Sequence, residues 1–333
     1  VDPFLDALKI RSSGASLSES TSMVRAEDRR RYPSDLDYTV GWICALPIEF
    51  SAAMVMLDTV HQAPPKHVVD KNAYEVGRIG NHNVVIACLP KGMMGTISAS
   101  TVAAHMSFSF PNIITRLMVG IGGGVPSATN DVRLGDVVVC KPGPLNNGIV
   151  QYDFGKRTGD GFEQTGHLPS PPQALLTVIS RLEARHDIHG STIPTILQNF
   201  DTEHMREKFG YPGADHDELF QADYAHITGE ATCAKCDRSR LQVRSPRRAA
   251  TVVHYGAIAS GNSVMKDAVT RDELGQRHGV LCFEMEAAGL MNAFPCLVIR
   301  GICDYSDTHK NKEWQGYAAA AAAAYAKELL INT

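Results

Sequence analysis

Short, densely apolar runs punctuate this chain at intervals and set its rhythm. Tyr38 to Ala45 is the first, and Asn83 to Cys88, Arg116 to Ile121, Asp136 to Cys140, Val252 to Ala259 and Pro295 to Cys303 follow. Runs of this length bounded by Gly, Pro and polar residues predict buried strands. Between them, apolar positions take helical spacing over Glu49 to Leu57, Gly95 to Ser107, Pro172 to Arg185 and Glu286 to Ala293. Pro47 stands near the start of the earliest helix, where a missing N–H breaks no helical bond. Strands alternating with helices predict a three-layer α/β/α fold around a central mixed, largely parallel sheet. No internal repeat is visible.

Two segments depart from that rhythm. Residues 1–36 are Ser-rich and charged without a sustained apolar period, which predicts a flexible leader before one domain over residues 37–333. From Asn199 to Arg248 the chain turns polar and rich in charge and histidine, which predicts a lid or side flap of about residues 199–248 inserted into that domain. The Ala318 to Ala324 run is too short and too weakly apolar to span a bilayer, and reads as a helix packed in the core or between subunits.

Composition narrows the function classes. With 44% hydrophobic and 20% charged residues in 333, the chain reads as globular and soluble. A net charge of -4 gives no general reason to expect nucleic acid as a partner. The absence of an apolar segment near the start makes a cytoplasmic location the expectation. Most of the eight cysteines fall inside apolar runs, where a thiol acts as a small hydrophobe. Only Cys233 and Cys236 have a spacing that suggests chemistry: a zinc site completed by His226 and by His204, His216 or His254, or else a redox pair or idle thiols.

The richest stretch runs from Cys282 to Gly289 and is followed by Asp304 at the end of the next apolar run. It places Glu284 and Glu286 at a strand-to-helix corner and a third acid at a neighbouring strand end. In an open α/β sheet such places adjoin at the carboxyl edge, where ligands bind. The plainer reading is that Glu284 and Glu286 complement a helix dipole. Gly120, Ile121, Gly122, Gly123 and Gly124 read as a strand end opening into a loop whose backbone can approach a ligand. As a dinucleotide fingerprint the run fails, because the third glycine is misplaced and no helix follows at once.

Four blocks in order carry a family resemblance: Gly41 to Glu49, Gly120 to Gly124 with Leu134 to Val138, Ala259 to Val264, and Phe283 to Ala287 leading to Asp304. Over roughly residues 38–330 the chain resembles the nucleoside phosphorylase and nucleosidase superfamily. It is most similar to methylthioadenosine/adenosylhomocysteine nucleosidases and to the nucleosidase-like domains at the front of fungal NOD-like receptors. The latter resemblance implies an effector domain excised from a longer receptor, acting on a purine nucleoside or nucleotide, without a cofactor and as a homo-oligomer. It places Glu49 at the position that activates the attacking water, Glu286 on the ribose hydroxyls with Met285 beneath the sugar, and Asp304 as the proton donor to the purine. Ser263, Val264 and Met265 fall on the base-binding segment, although the family's usual aromatic is missing there.

The chemistry asks for those residue types on its own terms. Breaking a ribosyl N–C bond leaves the base needing a proton and the sugar needing a nearby negative charge. Asp304 can serve if desolvation keeps it protonated near neutral pH. Phosphorylases of the bacterial type hold phosphate with an arginine before the glycine run and a serine within it, and the matching positions here are Met118 and Ile121. Hydrolysis is therefore the primary expectation, with adenine as the released base. A phosphate-dependent phosphorylase and a catalytically silent nucleotide-binding or assembly module remain the alternatives. Lys266, Arg244, Arg247 and Arg248 are expected near the pocket as contacts for a 5′-phosphate chain, which would make ATP a substrate. Their plainer role is a solvated surface.

Overall fold

The computed structural model describes residues 33–333 apart from 160 and 248. Most of the expected leader and Arg248 therefore lie outside the described residues. In chain order the strands are β1 Val40–Cys44, β2 Thr59–Val60, β3 Tyr74–Ile79, β4 His82–Cys88, β5 Thr115–Gly124, β6 Val137–Cys140, β7 Ile149–Gln151, β8 Gly155–Thr158, β9 Gly161–Gln164, β10 Val253–Ser260, β11 Val280–Glu284 and β12 Leu297–Asp304. The helices are α1 Pro47–Val55, α2 Thr96–Ser109, α3 Gln173–His189, α4 Ile193–Ile196, α5 Glu203–Phe209, α6 Ala268–His278, α7 Ala287–Leu290 and α8 Gln315–Ile331.

The sheet runs β11-β10-β6-β12-β5-β1-β4-β3-β2, with β7 beside β10. Pairing is parallel through β4, β1, β5 and β12 and antiparallel at β3–β4 and β6–β12. The α/β class and the mixed sheet are as the apolar rhythm predicts. An open sheet is not what forms, however. β5 runs on past its partner β12 and pairs antiparallel with β11 through Gly124 with Cys282 and Gly123 with Phe283. Strands β5, β12, β6, β10 and β11 thereby close on one another, and the ends of β5, β11 and β12 meet at one mouth.

The glycines from 120 to 124 thus belong to β5 and not to a loop. Their small size serves close approach of side chains from elsewhere. A Cβ on Gly120 would lie 2.4 Å from Glu49 Oε1 and 2.7 Å from an Arg300 nitrogen, and one on Gly123 would lie 2.6 Å from Asp304 Oδ1. Acids from two elements, Glu49 of α1 and Asp304 of β12, lie directly against this strand.

Helix α8 is buried from Gly316 to Leu330, so its alanines pack inside the chain's own core. Gly301 of β12 admits it closely, since a Cβ there would fall 1.9 Å from the Ala318 carbonyl oxygen. Its buried charges are paired: Lys327 donates to Asp58 and the Met56 carbonyl, and Glu328 accepts from Thr192 and Ser191. No helix among the described residues is long and apolar enough to cross a membrane. The helix expected over Glu286 to Ala293 shrinks to α7, after which turns at Ala293 and Phe294 return to the Leu290 carbonyl. The polar insertion carries α5, three turns of 3-10 helix and an isolated bridge from Phe220 to Leu241.

Candidate active site

At the mouth where β5, β11 and β12 end, a cavity of about 180 Å³ opens. Glu49, Glu284 and Glu286 line it together with Ile121, Gly122 and Gly123, and Ser263, Val264, Met265 and Met285 complete much of its wall. The structure therefore gathers the expected water-side acid, ribose-side acid, sugar-side methionine and base segment around one space. Gly120 stands behind the wall, against the Glu49 carboxylate.

Glu49 is 3% exposed and sits in the first turn of α1. Its Oε2 accepts from the N–H groups of Ala45 and Leu46 at 2.7 and 2.9 Å, and its Oε1 accepts from Ile121 N at 2.8 Å. The helix-start role and a place in the cavity wall thus coexist in one carboxylate. Burial raises its pKa, a push that Arg300 and the three backbone donors only partly offset.

Glu284 and Glu286 divide their tasks. Glu284 accepts from Glu286 N and Ala287 N, which anchors the start of α7, and receives Arg300 Nη2 at 2.5 Å. Glu286 has a long 3.5 Å contact to the same guanidinium and one backbone donor, Gly95, so its carboxylate lines the cavity with acceptor sites to spare. Burial, reinforced by Glu284 and Glu49 and opposed by Arg300, lifts its pKa to about 7.

Arg300 is the residue that sequence reasoning missed. It is 1% exposed within β12, and its pKa is raised because Glu284, Glu286 and Glu49 outweigh its own desolvation. A charged residue inside the apolar run from Leu297 to Cys303 was the available signal, since a buried cation needs buried anions. Phe283 was missed as well: it brings an aromatic side chain to the cavity, one residue before Glu284.

Asp304 lies at the border of this space. It lines a second hollow of about 560 Å³ on the flap side, which shares Cys303 and Lys310 with the first. Its Oδ1 accepts from Ser306 N at 2.9 Å, and its Oδ2 meets Lys310 Nζ at 2.8 Å and the Cys303 thiol at 3.1 Å. Ser306 adopts φ 52°, an uncommon backbone state for a residue with a side chain. Desolvation alone was expected around Asp304, and the structure supplies a cation instead. Burial draws the Lys310 pKa down, but Asp304 and nearby Cys303 and Asp307 push it further up, so the ammonium stays charged.

The expected phosphate contacts divide. Arg244 is bound to Asp217 and to the Tyr305 hydroxyl, and Arg247 grips both oxygens of Asp136. Both are held in partly buried ion pairs outside the cavity, which corrects the expectation that they reach a ligand there. Lys266 is exposed beside Met265 at the rim. Of the expected zinc partners, His226 lies with Cys233 and Cys236. His254 and His216 do not join them, because they contact Asp136 and Glu313. His204 lies on α5 and is not among the grouped donors.

Comparison with known proteins agrees with this architecture. A nucleotide-binding leucine-rich repeat (NLR)-like protein of Hyaloscypha variabilis is 48% identical over 297 residues, covering 88% of this chain but 29% of that protein. The chain thus spans less than a third of that relative's length. A 5′-methylthioadenosine/S-adenosylhomocysteine nucleosidase of Mycobacterium bovis is 24% identical over 307 residues, covering 88% of this chain and 95% of the relative. The structure of the corresponding Neisseria meningitidis nucleosidase, in complex with methylthio-immucillin-A, shares the fold. It matches at TM-score 0.57 and 17% identity, covering 89% of this chain and 100% of that one. The phosphorylase superfamily model matches residues 39–331, and this chain belongs to that family.

Proposed function

We propose that this chain is a nucleosidase that hydrolyses the N-glycosidic bond of an adenine nucleoside or nucleotide and releases adenine. The observation that carries the reading is the pair of buried carboxylates, Glu49 and Glu286, facing one cavity with Asp304 at its border. A carboxylate offers about four lone-pair sites, and three of Glu49's are occupied by backbone donors. The fourth holds and orients a water, and the raised pKa makes Glu49 a better base toward it. Glu286 accepts hydrogen bonds from the ribose hydroxyls and stabilises the positive charge that develops on the sugar. Met285 and Phe283 pack on the apolar faces of sugar and base, while Ser263, Val264 and Met265 border the base. Asp304 hands a proton drawn from solvent to the departing purine, and the Lys310 ammonium on its Oδ2 positions the carboxyl group.

Water is the nucleophile in this reading. Met118 is fully buried and Ile121 presents an apolar side chain beside Glu49, so neither position can grip phosphate, and the neighbouring carboxylate repels it. Lysines at the rim favour a charged 5′ end: Lys266 follows Met265, and Lys91 lies three residues before Met94, both neighbours being wall residues. A 5′-phosphate chain leaving the cavity would pass between them. We extend the reading to the whole protein as the effector module of a longer receptor, on the strength of the 48% match to an NLR-like protein.

The test is chromatography of adenine after incubating purified protein without phosphate with adenosine, AMP, ATP, methylthioadenosine or adenosylhomocysteine. Adenine from at least one of them, at a rate that added phosphate does not change, is expected. Release only with phosphate would instead make the enzyme a phosphorylase.

A further inference from the structure

Outside the cavity, one cluster of donors has no role in the reaction proposed above. His226, Cys233 and Cys236 place one ligand-type atom each within 4.8 Å of one another. They come from the polar insertion, with Cys233 opening a turn of 3-10 helix that brings Cys236 back toward it. Cys236 is 5% exposed, buried within the insertion as Phe209, Leu219 and Phe220 are.

A second observation points to a ligand. His309, on the loop after β12, is 7% exposed, and neither of its ring nitrogens has a hydrogen-bond partner. Leaving a buried polar group unmatched is costly, so an orphaned imidazole calls for a partner. Its ring is stacked on Phe220 at 4.1 Å, and its centroid stands 5.5 Å from that of His226. Two imidazoles on one tetrahedral ion, with metal–nitrogen bonds of about 2.0–2.1 Å, have centroids at about this separation.

We propose that His226, Cys233, Cys236 and His309 form a structural zinc site that clamps the polar insertion onto the loop that follows Asp304 and carries Lys310. Two thiolates and two neutral imidazoles balance the charge of a divalent ion, and the two thiol protons leave to solvent on binding. The outer contacts suit such a site. Nε2 of His226 lies 3.1 Å from the Thr232 carbonyl, and a proton directed there leaves Nδ1 with a free lone pair. His309 Nδ1 lies 3.8 Å from Asp307, a carboxylate that a small turn of the ring would bring into the hydrogen bond that orients a ligating histidine through its other nitrogen. The two segments already touch, since His226 N donates to Thr308 Oγ1 at 2.8 Å and the Cys233 thiol approaches the His309 carbonyl at 3.9 Å. Zinc would join these contacts into one unit beside the Asp304–Lys310 pair. His309 is not within the 4.8 Å grouping, so its ring must shift toward the other three donors to complete the site.

The experiment uses the whole chain, purified with a reductant in metal-depleted buffer and then given zinc or cobalt(II). Zinc should be retained at one ion per chain through dialysis. The cobalt form should show the intense visible bands of a tetrahedral site together with thiolate charge transfer. Cys233→Ser and Cys236→Ser should lose the ion, whereas Cys88→Ser, at a thiol elsewhere in the fold, should keep it. His309→Ala should weaken retention against a chelator by at least roughly 10–100-fold, the range that loss of an orienting partner already produces. Wild-type protein that holds no stoichiometric metal, or forms a Cys233–Cys236 disulfide in its place, would overturn the site. Unchanged retention in His309→Ala would overturn the clamp. None of these readings depends on adenine release, so they stand or fall apart from the nucleosidase reading.

Discussion

Two buried carboxylates with cationic partners behave in opposite ways in this molecule. Asp136, at the foot of the insertion, accepts from Arg133 N, Val252 N, both Arg247 terminal nitrogens and His254, so every lone pair is matched. Glu286, at the cavity, has a long 3.5 Å contact to a guanidinium already committed to Glu284 and one backbone donor, Gly95. The first arrangement fixes structure and the second leaves a charge waiting for a ligand. Burial alone does not mark a functional acid, whereas burial with unmatched acceptor sites and a raised pKa does.

The largest effect should come from the reacting acids. Glu49→Gln and Asp304→Asn are each expected to lower adenine release by roughly 10²–10⁴-fold while the circular dichroism spectrum is retained. Wild-type turnover in either would remove its assigned role.

Asp136→Asn should do the reverse. It leaves Arg247 and His254 without their anion, and loss of one partner from a buried pair costs about 3–5 kcal/mol. A urea melt should show that loss, with kcat/KM per folded molecule close to wild type. A drop in activity equal to that of the cavity variants would erase the distinction between the two sites.

A finer separation lies in pH. The folded protein raises the Glu286 pKa from 4.5 to about 7, so the folded state holds this proton across that window when the unfolded chain has released it. Its contribution to stability is therefore full below 4.5 and is lost as pH rises through about 7. Binding ribose hydroxyls needs the ionised form, so kcat/KM should rise through the same region while stability falls. Parallel pH profiles for activity and stability would contradict this.

The smallest effect concerns the rim. Lys266→Ala should raise KM for ATP a few-fold, within the modest range of exposed charge pairs, and leave adenosine unchanged. Equal effects on both substrates would exclude a phosphate contact.

Much of this arrangement was legible in the chain and some was not, for identifiable reasons. Strand and helix positions followed from apolar periodicity; Glu286 and Asp304 stand out by their places at a strand-to-helix junction and a strand end, and Glu49 by the family resemblance. Gly120 to Gly124 suggested a loop because glycine disfavours strands by local propensity, yet tertiary contacts need a bare backbone where Glu49 and Asp304 press against β5. Arg244 and Arg247 looked available for phosphate because their partners, Asp217 and Asp136, are distant in sequence. The pairing of Lys310 with Asp304 depends on a turn through Ser306 that no local pattern announces.

The account rests on Glu286 being a ligand-facing charge, unlike Asp136. The direct test is kcat/KM for adenine release by Glu286→Gln in phosphate-free buffer at pH 8, with a urea melt of the same sample. The account predicts activity reduced by at least roughly 10²-fold and a fold at least as stable as wild type. Near-normal activity, or a collapse in stability like that expected of Asp136→Asn, would contradict it.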